Sequence, residues 1–191
     1  MKTSLIAAAL LSTLLAVSPA IADEPRIVFT SKTALTPEQE VQNAPVVSDG
    51  EAAAIITFDR RYRNADIRVT FSNLEGNVSR LHLHCNVAGA NGPIAIGLID
   101  LVALGNDNSE TVTLGANTFI GSLRNKQFPD TDACAGALGR PIGNLRELAH
   151  AINDGLIYWN LHTFAFPAGE LRGQVEPLTR TRQQRDHRDD D

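Results

Sequence analysis

The feature that most constrains how this chain can fold is a series of short apolar or alternating segments with turn residues between them. In the segment at 66–74, Ile67, Val69 and Phe71 alternate with polar residues, so the three would share one face of a strand. Clusters of Gly, Asn, Asp and Pro separate such segments from residue 51 onward. We therefore predict an all-β protein, an antiparallel sandwich or barrel, with strands near 53–58, 66–74, 80–86, 93–101, 110–114, 119–123, 156–164 and 170–175.

One helix is predicted among the strands, near residues 145–153. Asn144 has the side chain of an N-cap, Glu147 follows at capping-box spacing, and Gly155 stands where a helix commonly ends. The apolar face would be formed by Leu145, Leu148, Ala149 and Ile152. His150 falls between these positions, so we interpret it as a surface or boundary residue.

The first 22 residues have the features of a signal peptide. Lys2 provides a positive start, an apolar run extends from Leu5 to Val17, and Ala20-Ile21-Ala22 fits a cleavage site before Asp23. The alternative is a membrane anchor, but a run of about 13 residues is shorter than the roughly 20 that span a bilayer. We predict export to a bacterial periplasm or secretion, with no membrane span after cleavage.

The remaining chain divides into three parts by composition. Residues 23–50 are polar and irregular, and we interpret them as an extended lead-in with an added edge strand at 26–30. Residues 51–176 contain the strand pattern and predict one β-domain. Residues 177–191 are charged and lack apolar periodicity, which is typical of a disordered tail.

Charge limits the partners that the protein can have. Lys2 is the only charged residue of the first 22, so cleavage changes the formal net charge from −5 to −6. An acidic chain is poorly suited to nucleic acid, because phosphate binding depends on lysine and arginine. We expect a monomer or weak oligomer that binds an unknown protein or a small ligand.

The chain has two cysteines, Cys85 and Cys134. Export removes the usual cellular reductants, so we predict a disulfide between them. The alternative is one buried free thiol and one thiol in a loop.

The stretch "RLHLHC" at 80–85 indicates a metal site. On a strand His82 and His84 point to the same side, and Cys85 points to the other with the core. A pair of imidazoles needs a third ligand, and His162 in the segment at 156–164 offers one. Three neutral imidazoles suit Zn(II) or Cu(II) rather than magnesium or calcium.

The alternative is a polar sheet face without a metal. In the same segment Tyr158 and Asn160 share a face with His162, while Trp159 and Leu161 point to the core. The histidines would then bond to these polar side chains or to the backbone.

A second polar group lies on the last predicted strand. Glu170, Arg172 and Gln174 share one face, and residues 167–169 are predicted to form a turn before them. An arginine between two hydrogen-bonding side chains favours a structural ion pair that locks this strand. A groove for an anionic ligand is the functional alternative.

Several segments in order resemble one known family: HLH at 82–84, NGP at 91–93, YWNLHT at 158–163 and PAGELRGQ at 167–174. They are similar to the CHRD domain, repeated in chordin and found singly in exported bacterial proteins. Leu171 stands where isoleucine is commoner. The resemblance covers 51–176 and implies an all-β domain; in chordin it is associated with binding secreted growth factors, a ligand we do not transfer.

The His-x-His strand is also distantly similar to the metal strand of Cu,Zn superoxide dismutases, so immunoglobulin-like and dismutase-like sandwiches are both candidate architectures. The bridging histidine and zinc-loop ligands of a dismutase have no counterpart in this sequence. No motif for nucleophilic catalysis or phosphate binding is present.

Three functions follow from these features. The first is a non-enzymatic exported module of CHRD type, with no assigned cofactor and no catalytic residues. The alternative is a periplasmic copper- or zinc-binding protein that uses His82, His84 and His162. The third is a metalloenzyme of dismutase type, which would need an open coordination position.

Overall fold

A computed structural model describes residues 26–100, 112–128 and 133–183. The predicted signal peptide and the end of the predicted tail, 184–191, lie outside these residues. In chain order the elements are β1 (Arg26–Leu35), β2 (Glu51–Asp59), β3 (Asn64–Ser72), β4 (Val78–Cys85), β5 (Ile94–Asp100), β6 (Val112–Leu114), β7 (Thr118–Arg124), α1 (Ala133–Leu138), α2 (Leu145–Asn153), β8 (Ile157–Thr163), β9 (Leu171–Gln174) and β10 (Thr179–Gln183).

The strands form two antiparallel sheets, which confirms the all-β prediction as an open sandwich rather than a closed barrel. One sheet has six strands in the order β10-β1-β2-β3-β7-β6, and the other has four in the order β5-β4-β8-β9. The apolar core includes Ile56, Ile67 and Phe119 of the larger sheet and Leu83 and Trp159 of the smaller one. The alternation of apolar residues is thus explained because the facing sides of the two sheets pack against each other.

Cys85 and Cys134 form the predicted disulfide, which joins β4 to α1. The two residues are 49 apart in sequence. Closing a loop of this length stabilises the fold by about 4 kcal/mol in the chain-entropy account.

Residues 26–35 are a correction to the predicted lead-in. They form a full strand between β10 and β2, not a five-residue edge strand. Its buried positions include Ser31 and Thr33, and their parity differs from that of buried Val28, so apolar periodicity is weak. Backbone pairing to β2 holds the strand where its side chains give little signal.

The predicted disordered tail also needs correction, because residues 179–183 form β10 at the edge of the larger sheet. All five side chains are exposed and polar. This strand has no apolar face, and its backbone hydrogen bonds come from pairing with β1. Its polar composition therefore indicated disorder.

The helix at 145–153 is present, and Asn144 accepts hydrogen bonds from the backbone N–H groups of Arg146 and Glu147. Gly155 follows with a φ of +70°. A second helix, α1, corrects the prediction of a single one. Its six residues include three alanines and a glycine, too short for a helical apolar period to be recognised.

Candidate metal centre

Strand parity places His82, His84 and His162 on the outer face of the four-stranded sheet. β4 and β8 are antiparallel neighbours, with His84 opposite Tyr158 and His82 opposite Asn160. The three imidazoles therefore lie next to one another, as the sequence predicted. Ring centroids are 5.5 Å apart for His82 and His84, 5.2 Å for His82 and His162, and 6.5 Å for His84 and His162.

The pairing of β4 with β5 is irregular beside His82. The register shifts between Leu81 and His82 and again between Leu83 and His84, and Gly97 lies opposite His82. Irregular pairing re-aims side chains, and a glycine partner leaves space beside the imidazole. The distortion is thus centred on the residues of the candidate site.

This outer face is buried rather than open to solvent, which differs from a simple polar sheet face. His82 is 5% exposed and His162 is 7% exposed, while His84 is partly buried. Every residue of β8 is buried, on both faces of the strand. The imidazoles therefore need partners inside the protein or a ligand, since unpaired buried polar atoms are costly.

Backbone carbonyls orient two of the rings. Nδ1–H of His84 donates to the carbonyl oxygen of Gly92 at 2.9 Å, and Nδ1–H of His162 donates to that of Pro167 at 3.1 Å. A carbonyl only accepts, so each Nδ1 carries the proton and each Nε2 presents a lone pair. The same arrangement orients histidines that ligate metals.

One nitrogen of each ring is buried without a hydrogen-bond partner among the described residues. These nitrogens are Nδ1 of His82, Nε2 of His84 and Nε2 of His162. The three residues form a group whose ligand atoms lie within 4.8 Å of one another. Two nitrogens on one zinc ion are roughly 3.3 Å apart, given Zn–N bonds of about 2.0 Å. An inward shift of each ligand nitrogen by about 1 Å would therefore let all three bind one ion.

Burial also keeps the three imidazoles neutral. Burial, together with the neighbouring His162 and His84, lowers the pKa of His82 to about 3. Burial lowers the pKa of His84 to about 4, although the bond to Gly92 opposes this shift. The pKa of His162 is lowered for the same main reason. Neutral imidazole is the form that binds metal.

Tyr158 and Arg172 lie behind His84 as a stack. The Tyr158 ring is parallel to His84 at 5.0 Å, and the Arg172 guanidinium lies 3.5 Å from the centre of the Tyr158 ring. Arg172 also donates to the Asn91 side chain at 3.0 Å and to the Ala90 carbonyl at 2.7 Å. The stack thereby connects the candidate site to the loop that orients His84.

Glu170 and Gln174 do not share this network with Arg172, although the sequence predicted one group. Glu170 is fully buried and accepts hydrogen bonds from the Ser48 hydroxyl, the Thr163 hydroxyl and the Glu75 backbone N–H. Gln174 donates to the carbonyls of Asn86 and Gly155. The three side chains therefore hold three different parts of the chain, because neighbouring loops reach each of them separately.

Residues 36–50, which we call the strap, were missed as part of this site. Glu40 accepts a hydrogen bond from Asn160, Gln42 donates to the Gly169 carbonyl, and Asn91 donates to the Val41 carbonyl. Burial raises the pKa of Glu40 to about 7, against the opposing effect of its hydrogen bonds. Nothing in the polar, aperiodic sequence of the strap signals these long-range contacts.

An antiparallel sandwich with a buried histidine cluster on one outer face describes the class of this molecule. The CHRD domain family model matches residues 31–175, so the chain belongs to the CHRD family. The match begins at 31 rather than at the predicted 51, consistent with β1 being part of the fold. Neither curated proteins nor solved structures gave a match.

The described residues contain no helix that is long and apolar enough to cross a membrane.

Proposed function

We propose that this protein is an exported, non-enzymatic CHRD module that binds one copper or zinc ion through His82, His84 and His162. The family match supports a module of CHRD type. The disulfide between Cys85 and Cys134 supports an oxidising compartment outside the cytoplasm, since such bonds are rare where thiols are kept reduced.

One observation carries the metal-binding part of the proposal. Three ring nitrogens from two adjacent strands are buried together and lack partners among the described residues. Each such nitrogen costs free energy unless it binds something, and repulsion between lone pairs adds to that cost. A metal ion would satisfy all three at once.

The donor set favours copper or zinc over other common ions. All three ligands are neutral nitrogens, whereas calcium and magnesium prefer oxygen. Both cysteines are in the disulfide, so neither offers a thiolate. The nitrogens also lie on strands rather than loops, which fits a site held rigidly by the sheet.

The test is metal binding by the purified protein after treatment with a chelator. We expect one equivalent of copper or zinc per chain, and we expect His84→Ala to weaken binding by at least about 100-fold. The matched control is His150→Ala, because His150 is exposed on α2 and should leave binding unchanged. Absence of stoichiometric binding by the unmodified protein, or equal binding by His84→Ala, would reject the metal site.

The non-enzymatic part is tested separately with the metal-loaded protein. Superoxide consumption should not exceed that of the same ion bound to a small peptide chelator. Turnover by the loaded protein that is lost in His84→Ala would instead establish the dismutase-type alternative.

A further inference from the structure

The charge surrounding the histidine cluster bears on which ion it accepts. No carboxylate belongs to the group of ligand atoms found among the described residues. The groups that orient His84 and His162 are backbone carbonyls, not the carboxylates that often support zinc-bound histidines. The shell formed by the ligands and their hydrogen-bond partners is therefore neutral. Asp100 is the carboxylate that interacts electrostatically with His82 and His162, and it is paired with Arg80.

Two arginines lie near this neutral shell. Arg80 is opposite His162 in the register, and its guanidinium pairs with Asp100 at 3.2 Å, which offsets its charge. Arg172 is 2% exposed, and its hydrogen bonds go to neutral oxygens of Asn91 and Ala90. The stack on Tyr158 places the Arg172 charge no more than about 8.5 Å from the centre of the His84 ring.

Glu40 carries the carboxyl group that interacts electrostatically with Arg172. Burial raises the pKa of Glu40 to about 7, so near neutral pH this carboxyl is only partly ionised. The positive charge of Arg172 is thus incompletely balanced.

These charges penalise a divalent ion more than a monovalent one. The cost of burying an ion grows with the square of its charge, and repulsion from Arg172 grows in proportion to the charge. Zinc commonly completes a tetrahedron with a fourth ligand, and the cluster offers only three ligands among the described residues. Geometry and charge therefore favour the same ion.

We propose that this site selects monovalent copper over zinc, and that the buried Arg172 behind the Tyr158–His84 stack sets this preference. This inference rests on the proposed metal-binding function. At an effective dielectric constant of about 20, one unit charge at this distance changes the ratio of the two affinities by roughly 30-fold, and partial compensation by Glu40 reduces this to roughly 10-fold.

The experiment measures Cu(I) affinity anaerobically with a chromophoric competitor, and zinc affinity by a matching competition. The original protein should prefer Cu(I) by at least about 100-fold, a difference larger than the contribution of Arg172 alone. Arg172→Met should narrow the ratio of affinities by roughly 10-fold, mainly by tighter zinc binding. Arg172→Lys keeps the positive charge, so the ratio of the Cu(I) and zinc affinities should stay the same. Loss of the paired hydrogen bonds to Asn91 and Ala90 would weaken the binding of both ions equally.

Glu40→Gln is the variant that avoids any folding defect of Arg172→Met. Glutamine keeps an oxygen for the hydrogen bond from Asn160 but removes the negative charge. At about pH 8, where Glu40 is mostly ionised, this change should weaken zinc binding several-fold more than Cu(I) binding.

The outcomes separate the two proposals. Failure to bind either ion rejects the metal site itself. Equal affinities for the two ions would be consistent with the metal site but would overturn the role of Arg172. The same conclusion would follow if neither Arg172→Met nor Glu40→Gln changed the ratio of the Cu(I) and zinc affinities.

Discussion

The outer faces of the two sheets differ in what they require of the chain. On the larger sheet, Asp66, Arg68 and Thr70 point outward from β3 and are exposed, so water satisfies them. On the smaller sheet, the outward positions of β8 are Tyr158, Asn160 and His162, and all are buried. The same alternation of strand residues thus produces a solvated surface in one sheet and a second, polar interior in the other.

This difference shows where function is to be expected. A buried polar layer must be satisfied by hydrogen bonds, and in the smaller sheet the strap and the loop that contains Asn91 supply several of them. Three histidine nitrogens remain unpartnered among the described residues, and they belong to the three rings that are clustered on this face. Among the residues that the structure describes, the exposed face of the larger sheet has no comparable group of buried polar atoms without hydrogen-bond partners.

The largest expected effect of the buried face is a loss of stability in acid. The folded pKa values of His82 and His84 are about 3 and about 4, below the ordinary 6.5 of an unfolded histidine, and His162 is lowered too. Between about pH 4 and 6.5 the unfolded chain therefore binds more protons, so stability is complete above this window and falls as pH decreases. We expect a loss of several kcal/mol in the free energy of unfolding, measured with urea at a series of pH values.

Glu40 titrates in the opposite direction and sharpens this test. Its pKa is raised from 4.5 to about 7, so its contribution to stability is complete below 4.5 and is lost as pH rises through 7. Glu40→Gln should therefore make the free energy of unfolding fall more steeply as pH decreases. The control His150→Gln, on the exposed side of α2, should leave this dependence unchanged. A stability that is independent of pH over this window would contradict the buried, neutral state of the three histidines.

Truncation of Glu170 should have the next largest effect. Glu170→Ala leaves two hydroxyls and one backbone N–H without their acceptor in a buried position, and we expect a loss of about 3–5 kcal/mol. The control is Glu51→Ala on the larger sheet, where an exposed glutamate accepts from Ser72. That change should stay within about 0.5 kcal/mol, and equal losses in the two variants would remove the distinction between the faces.

Gly92 gives a local test of the loop that orients His84. A Cβ at this position would collide with the backbone carbonyl of Cys85, so Gly92→Ala should cost about 2 kcal/mol or more. It should also shift the ring resonances of His84, because Gly92 provides the carbonyl that accepts from Nδ1. Gly136→Ala in α1 meets nothing within 4 Å and should instead stabilise by about 0.5–1 kcal/mol. A neutral effect of Gly92→Ala would show that the loop moves freely.

Sequence patterns predicted the parts of this fold that depend on regular burial. The sandwich, the disulfide between Cys85 and Cys134 and the shared face of the histidines all follow from alternation or from chemical pairing. Strand pairing by backbone alone leaves no such pattern, which is why β10 and the second half of β1 were missed.

The covering of the candidate site could not be predicted for a related reason. The bond between Glu40 and Asn160 joins residues 120 apart in sequence, and the one between Arg172 and Asn91 joins residues 81 apart. Neither has a local spacing that would signal it. The sequence therefore predicted which face holds the histidines, but not that this face is buried.

The smallest effect we expect tests the hydroxyl of Tyr158, which joins the stack to the loop. It accepts a hydrogen bond from the Gly92 N–H at 3.0 Å, and Tyr158→Phe removes this acceptor while keeping the ring on His84. The loss should be about 1 kcal/mol, measured by urea unfolding. Tyr62→Phe, which keeps the stack on Phe29 in the larger sheet, is the matched control and should stay within about 0.5 kcal/mol. If Tyr158→Phe lowers the free energy of unfolding no more than Tyr62→Phe does, then stacking alone holds Tyr158. The loop would then be held by Arg172 without help from the Tyr158 hydroxyl.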